Sequence, residues 1–152
     1  MFTPDQQRAA DEIARVCKSG GKIGLANWTP SGFIGELFKL MGRYVVPPTG
    51  VKPPSLWGTE ERLRELFGTQ IATISVERKN FVFRYRTPQH WIDTFRTYCG
   101  PMNKAFNAVD VGKQGMLNAD LLRLVQQFNR TTDGAMVVPS EYLEVVIGTR
   151  QP

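Results

Sequence analysis

The sequence has 152 residues, enough for one compact domain built around a single core. Hydrophobic residues make up 41% and charged residues 22%, a globular balance that excludes wholesale disorder. The net charge of +5 is spread thinly, peaking around Arg78, Lys79, Arg84, Arg86 and Arg96 without a block of like charges, so nucleic acid is not an expected partner.

No apolar run approaches the ~18 residues that a membrane span needs. The opening Met1-Phe2-Thr3-Pro4-Asp5 has neither the basic nor the apolar region of a secretory signal. A cytoplasmic protein without a membrane partner is therefore expected. Cys17 and Cys99 are too few for a disulfide framework or a four-ligand zinc site, and both read as small hydrophobes in helical patterns. His90 is the single histidine, so any Ser-His-Asp chemistry would have to use it.

The chain opens with a helix signal: Thr3 as N-cap, Pro4 at the first helical position and Gln6 completing a capping box. Ala9, Ala10, Ile13, Val16 and Cys17 recur at helical spacing until Ser19-Gly20-Gly21 ends the run. Lys22-Ile23-Gly24-Leu25-Ala26-Asn27 is short and apolar on both faces, which predicts a strand buried on both sides. Phe33, Ile34, Leu37, Phe38 and Met41 form a second helical stripe, and the proline-rich stretch 47–54 is a loop. Thr59 caps a short helix that buries Leu63, Leu66 and Phe67 and stops at Gly68.

Ile71 to Val76 reads as a strand, Glu77-Arg78-Lys79-Asn80 as a polar break, and Phe81 to Arg86 as a second, half-buried strand. Thr87-Pro88 opens a helix through Trp91, Ile92, Phe95, Tyr98 and Cys99. A short helical stretch follows near Ala105-Phe106, and then a longer helix through Leu117, Leu121, Leu124, Val125 and Phe128. Tyr142 to Ile147 is the last strand. This order favours a three-layer α/β arrangement.

The segment from Ala9 to Trp28, with its helix, Gly20-Gly21 turn and following strand, resembles the fifth-strand region of class I S-adenosylmethionine-dependent methyltransferases. Ser19 stands where that family commonly has Pro, and Cys17 where it has Leu. Ser55-Leu56-Trp57-Gly58 before Thr59 resembles the approach to the family's next helix, and Phe81 to Tyr85 and the final strand resemble its last two strands. The resemblance implies an α/β fold: a partial Rossmann-like methyltransferase sheet of about three strands, with flanking helices and a helical insert before the last strand. It covers residues 1–152 as a single domain, the C-terminal, substrate-side half of the family's fold.

The family's cofactor-binding elements, a glycine-rich loop after the first strand and an acidic residue ending the second, have no counterpart here. Gly20-Gly21-x-x-Gly24 and Gly32-x-x-Gly35 are not expected to substitute, since neither is expected in a strand-to-helix turn. The isolated chain is thus expected to bind no cofactor and to transfer no methyl group, with S-adenosylmethionine entering only if a partner supplies the missing half. The alternative is a non-enzymatic small-molecule-binding or assembly protein that reuses the half-fold.

By the same resemblance, substrate would lie over the strand ends, near Asn27, Trp28 and Thr29, capped by Phe33, Leu37, Phe38 and Trp91. Trp28 and Phe33 are expected to line a cavity. His90 reads as a surface residue of a first helical turn rather than a general base, and Trp57 as a packing plug. The Lys22–Asn27 strand would lack its neighbour, leaving an open edge beside an apolar Ile13/Val16 patch, so a homodimer or a complex with a cofactor half is expected.

Overall fold

The structure, a computed structural model, describes residues 2–150. Its first helix begins later than the Thr3 capping box implies. Asp5 is the N-cap, its carboxylate accepting from the Arg8 amide at 2.9 Å, and α1 runs Gln6–Val16. The Thr3 hydroxyl donates instead to the Asp5 carbonyl. Gln6 is released from capping: it is buried, donates Nε2 to the Pro53 carbonyl at 3.1 Å and accepts from Arg62 Nε at 3.1 Å. It thereby pins the proline-rich loop to α1.

Three strands form one sheet: β1 (Lys22–Trp28), β2 (Ile71–Tyr85) and β3 (Met136–Thr149), in the order β1-β3-β2. β1 and β3 are antiparallel, with Lys22 opposite Gly148 and Trp28 opposite Tyr142. β2 also runs against β3, since Arg150 N donates to the Gln70 carbonyl at 3.2 Å while Arg78 pairs with Glu141 at 2.7 Å. The fold is mixed α/β, with a three-stranded antiparallel sheet and six helices among the described residues.

The expected polar break at Glu77–Asn80 is absent: β2 is continuous, because Arg78 and Lys79 pair across the strands with Glu141 and Glu144. The last strand is also longer than Tyr142–Ile147. Pro139 lies within it, at a stretch where β1 does not pair, so its missing N–H disrupts no bond to β1.

Contacts divide the chain into two compact units. The first comprises Met1–Gly32, Thr49–Asn80 and Glu141–Pro152. In it α1, α3 (Glu60–Phe67) and a 3-10 turn at Pro54–Gly58 cover one face of the sheet. Ala10, Trp57, Leu63, Leu66 and Phe67 pack there on Ile23, Leu143, Val145 and Ile147. Lys22, Gly24 and Ala26 point the other way and are exposed. The expectation of a strand buried on both sides, and of a three-layer unit, is corrected accordingly: both helices lie on the same face. Ile13 packs on this core rather than forming an outer patch, while Val16 is exposed.

The second unit comprises Phe33–Pro48 and Phe81–Ser140. Here α2 (Phe33–Tyr44), α4 (Pro88–Tyr98), α5 (Gly100–Asn107) and α6 (Val111–Phe128) surround an aromatic cluster. Phe33 lies 5.1 Å from Trp91, 5.6 Å from Phe128 and 6.0 Å from Phe83, ring centre to ring centre. Thr87 caps α4 by accepting from the His90 amide, as its sequence position predicts.

Gly58 lies tightly against the end of β1. A Cβ there would sit 1.9 Å from the Trp28 carbonyl oxygen, so only glycine lets the 3-10 turn lie on the end of β1. Gly58→Ala should therefore cost about 3 kcal/mol in urea denaturation, because backbone on both sides must move. Gly42→Ala, where a Cβ meets nothing within 4 Å in a helix, should instead stabilise by about 0.5–1 kcal/mol.

Candidate functional site

The end of β1 joins three of the residues singled out by sequence. Asn27 is buried on the core face, and its Nδ2 has no hydrogen-bond partner among the described residues. Trp28 is half-buried, its ring edge-on to Tyr142 at 6.0 Å. Thr29 is buried, its amide donating to the Glu141 carbonyl at 3.2 Å and its carbonyl accepting from Gly32 N at 3.3 Å. Directly against this strand end lies the 3-10 turn with Trp57, whose buried Nε1 also lacks a partner.

Two buried N–H donors without acceptors are costly, on the order of 1–3 kcal/mol each. Chemically they suit a carbonyl, a carboxylate or a water oxygen. Neither group is a nucleophile or a base.

The other expected substrate residues belong to the second unit. Phe33, Leu37 and Trp91 are buried in the core of the second unit, with Phe33 and Trp91 in the aromatic cluster, and Phe38 is half-buried on α2. Phe33, at 0% exposure, is packed against Phe83, Trp91 and Phe128. His90 is exposed in the first turn of α4, its ring edge-on to Tyr85 at 5.5 Å. Trp57 packs edge-on to Phe67 as a plug.

The glycines do not form a cofactor cradle. Gly20, at φ 69°, turns a helix into a strand, the reverse of a phosphate turn. Gly32 does stand between β1 and α2, contrary to expectation. A Cβ on it would meet the Glu141 carbonyl and Thr29 Oγ1, each at 3.0 Å, so its bareness serves packing against β3. Among the described residues no group of three His, Cys, Asp or Glu side chains is placed to hold a metal, and no helix is long and apolar enough to cross a membrane.

Two polar groupings were invisible in the sequence. In the second unit, Tyr44 Oη donates to Asp120 Oδ2 at 2.6 Å beside a cleft of about 160 Å³ lined by Glu36, Arg43, Arg123 and Gln127. The Tyr44 hydroxyl and then the Arg123 guanidinium hold the Asp120 carboxyl below its usual range. Burial, followed by the Asp120 hydrogen bond, raises the Tyr44 phenol. In the first unit, a hollow of about 470 Å³ opens beside Asp5, Gln6, Lys52 and Arg62. Residues 44 and 120, like 6 and 62, are far apart in sequence, and no motif links them.

No described protein family matches the sequence. The chain is similar to Uncharacterized protein Rv1403c of Mycobacterium tuberculosis, 34% identical over 140 residues. It is 35% identical over 140 residues to a second protein of that organism, Uncharacterized protein Rv1405c. Each match takes in 90% of this chain but 50% of the relative, so the chain spans about half the length of the curated relatives it matches.

Asn27→Leu keeps the volume and removes the orphaned donor, so it should raise stability by about 1 kcal/mol in urea denaturation. Tyr44→Phe should lose about 1 kcal/mol near neutral pH. The lowered Asp120 group contributes stability above about pH 4 and loses it as pH falls through its depressed folded pKa. The raised Tyr44 group contributes below about pH 10 and loses it as pH rises through its elevated one. The difference between wild type and Tyr44→Phe, followed by melts across pH, should therefore be a plateau that narrows at both ends.

Proposed function

We propose that this chain is the substrate-side half of a class I S-adenosylmethionine-dependent methyltransferase-like fold, working with a cofactor half that its own residues do not supply. The observation that carries this is the direction of the strands in the first unit. β1 and β2 both run against β3, so they run parallel to each other with α3 in the connection between them. We take this parallel pair, with α3 between its strands, as a strand–helix–strand unit, and the last strand as filling the slot between the two.

Two further observations agree. β1 pairs on one side only among the described residues, which leaves its outer edge where the resemblance has the preceding strand. The relatives are about twice as long as the matched region, room enough for a second half. In this proposal Asn27 offers its unpartnered amide to an acceptor on the substrate, and Trp28 and Thr29 shape the strand end beside it. Localisation in the cytoplasm belongs to the same proposal.

The glycines of this chain do not fit S-adenosylmethionine, so none of its residues is assigned to the cofactor, which would supply the methyl group from the other half. Calorimetry tests the proposal. The chain alone should give no heat with S-adenosylmethionine and no turnover of the labelled cofactor. Co-expressed with the half of the M. tuberculosis relative that it does not match, it should yield a preparation that binds the cofactor. Failure of that purified pair to bind S-adenosylmethionine would reject the methyltransferase assignment in favour of a non-enzymatic binding or assembly role.

A further inference from the structure

Two helices of the second unit, α2 and α6, lie side by side and antiparallel. Phe33 at the start of α2 meets Phe128 at the end of α6, ring centres 5.6 Å apart, and Tyr44 at the end of α2 meets Asp120. On α2, Glu36, Leu40 and Arg43 share one helical face. On α6, Asp120, Arg123, Leu124 and Gln127 do the same. These two faces line a cleft of about 160 Å³, with the buried Leu40 and Leu124 as its floor.

Its charged groups are unequally engaged. Asp120 is satisfied, Oδ2 accepting from Tyr44 Oη at 2.6 Å and Oδ1 from Arg123 Nη2. Glu36 accepts from Lys39 Nζ at 2.7 Å. Among the described residues no hydrogen bond or salt bridge engages the Arg43 guanidinium or the Gln127 amide. Arg43 therefore keeps its whole fork of donors, and Arg123 keeps the part that Asp120 does not take. Such a planar fork matches the two oxygens of a carboxylate.

The two ends of the cleft also differ. Arg43 and Arg123 stand at the end closed by Tyr44 and Asp120. Glu36 precedes Arg43 by two helical turns, about 10 Å along the axis, and marks the other end together with Gln127. The leucines lie between. Donors and positive charge at one end thus give way to an apolar floor and then to a negative charge.

We propose that this cleft binds a medium-chain monocarboxylate, with its carboxylate on Arg43 and Arg123 and its acyl chain along Leu40 and Leu124. At about 1.3 Å per bond, a six-carbon acid is about 8 Å long and fits between the two ends. Glu36 rejects a second carboxylate at the far end of the chain, because like charges repel strongly in a partly buried cleft. Inorganic phosphate could meet the arginines but would leave the leucine floor uncovered. All the lining residues belong to the second unit, so the site stands independently of the β1 strand end and of the half-fold assignment.

Calorimetric titration of the full 152-residue chain with hexanoate tests the site. Saturable one-to-one binding is expected, with a dissociation constant of about 1 mM or tighter. Adipate, the dicarboxylate of equal length, and inorganic phosphate should each bind at least about tenfold more weakly. Arg43→Gln should weaken hexanoate by at least about tenfold, whereas Lys104→Gln, the same loss of charge on exposed α5, should leave it unchanged. Glu36→Gln should bring adipate to within about threefold of hexanoate. Melting curves of these variants should lie close to that of the wild type, and the comparison of hexanoate with adipate needs no variant. The proposal is overturned by absence of saturable binding up to about 20 mM hexanoate. It is equally overturned if adipate or phosphate binds as well as hexanoate, or if Arg43→Gln binds as well as Lys104→Gln.

Discussion

The first unit depends on the last strand being its middle strand. β3 is antiparallel to both neighbours, so its hydrogen bonds join residues 22–28 to 142–148 and tie both to β2. Leu143, Val145 and Ile147 then form the floor on which α1, α3 and Trp57 pack. Without that strand, β1 and β2 have no strand partner among the described residues, and α1 and α3 lose the Leu143, Val145 and Ile147 floor. The contacts that stabilise the first unit are thus long-range, and their loop-closure entropy must be offset by one cooperative burial step.

A second constraint acts at the end of β1. The 3-10 turn at Pro54–Gly58 lies so close to Trp28 that its last residue has to be glycine. This approach buries Trp57 against Phe67 and leaves its indole N–H unpaired near the strand that carries Asn27. Gln6 and Arg62 hold the preceding loop in place through the Pro53 carbonyl and their mutual hydrogen bond. The packing is tight where the chain is held and polar where it is left unsatisfied.

Charge contributes less than its abundance suggests. Arg15–Glu12, Lys39–Glu36 and Arg64–Glu60 are exposed helical pairs worth a few tenths of a kcal/mol each. Arg78–Glu141 and Lys79–Glu144 differ in consequence rather than in strength: they let a polar tetrapeptide continue β2, and so set the length of the strand. The cross-strand partners of Arg78 and Lys79 lie more than 60 residues away, which is why a local reading takes the tetrapeptide for a turn.

Local chemistry was legible in the sequence wherever the relevant partner is close in the chain. The Thr59 and Thr87 caps, the Gly68 stop and the proline-rich loop all depend on neighbours within a few residues. Asn27 could be placed at a strand end for the same reason. Tertiary structure alone decided the rest. Asp5 displaced Thr3 as the cap once Gln6 was needed by Pro53 and Arg62, and α1 and α3 chose one face of the sheet, which bared Gly24 and Ala26. Phe33, Leu37 and Trp91 became buried core of a second unit. An apolar residue is equally suited to a core and to a pocket, and periodicity records only that it avoids water. Which neighbour it meets is fixed by contacts between residues far apart in the chain.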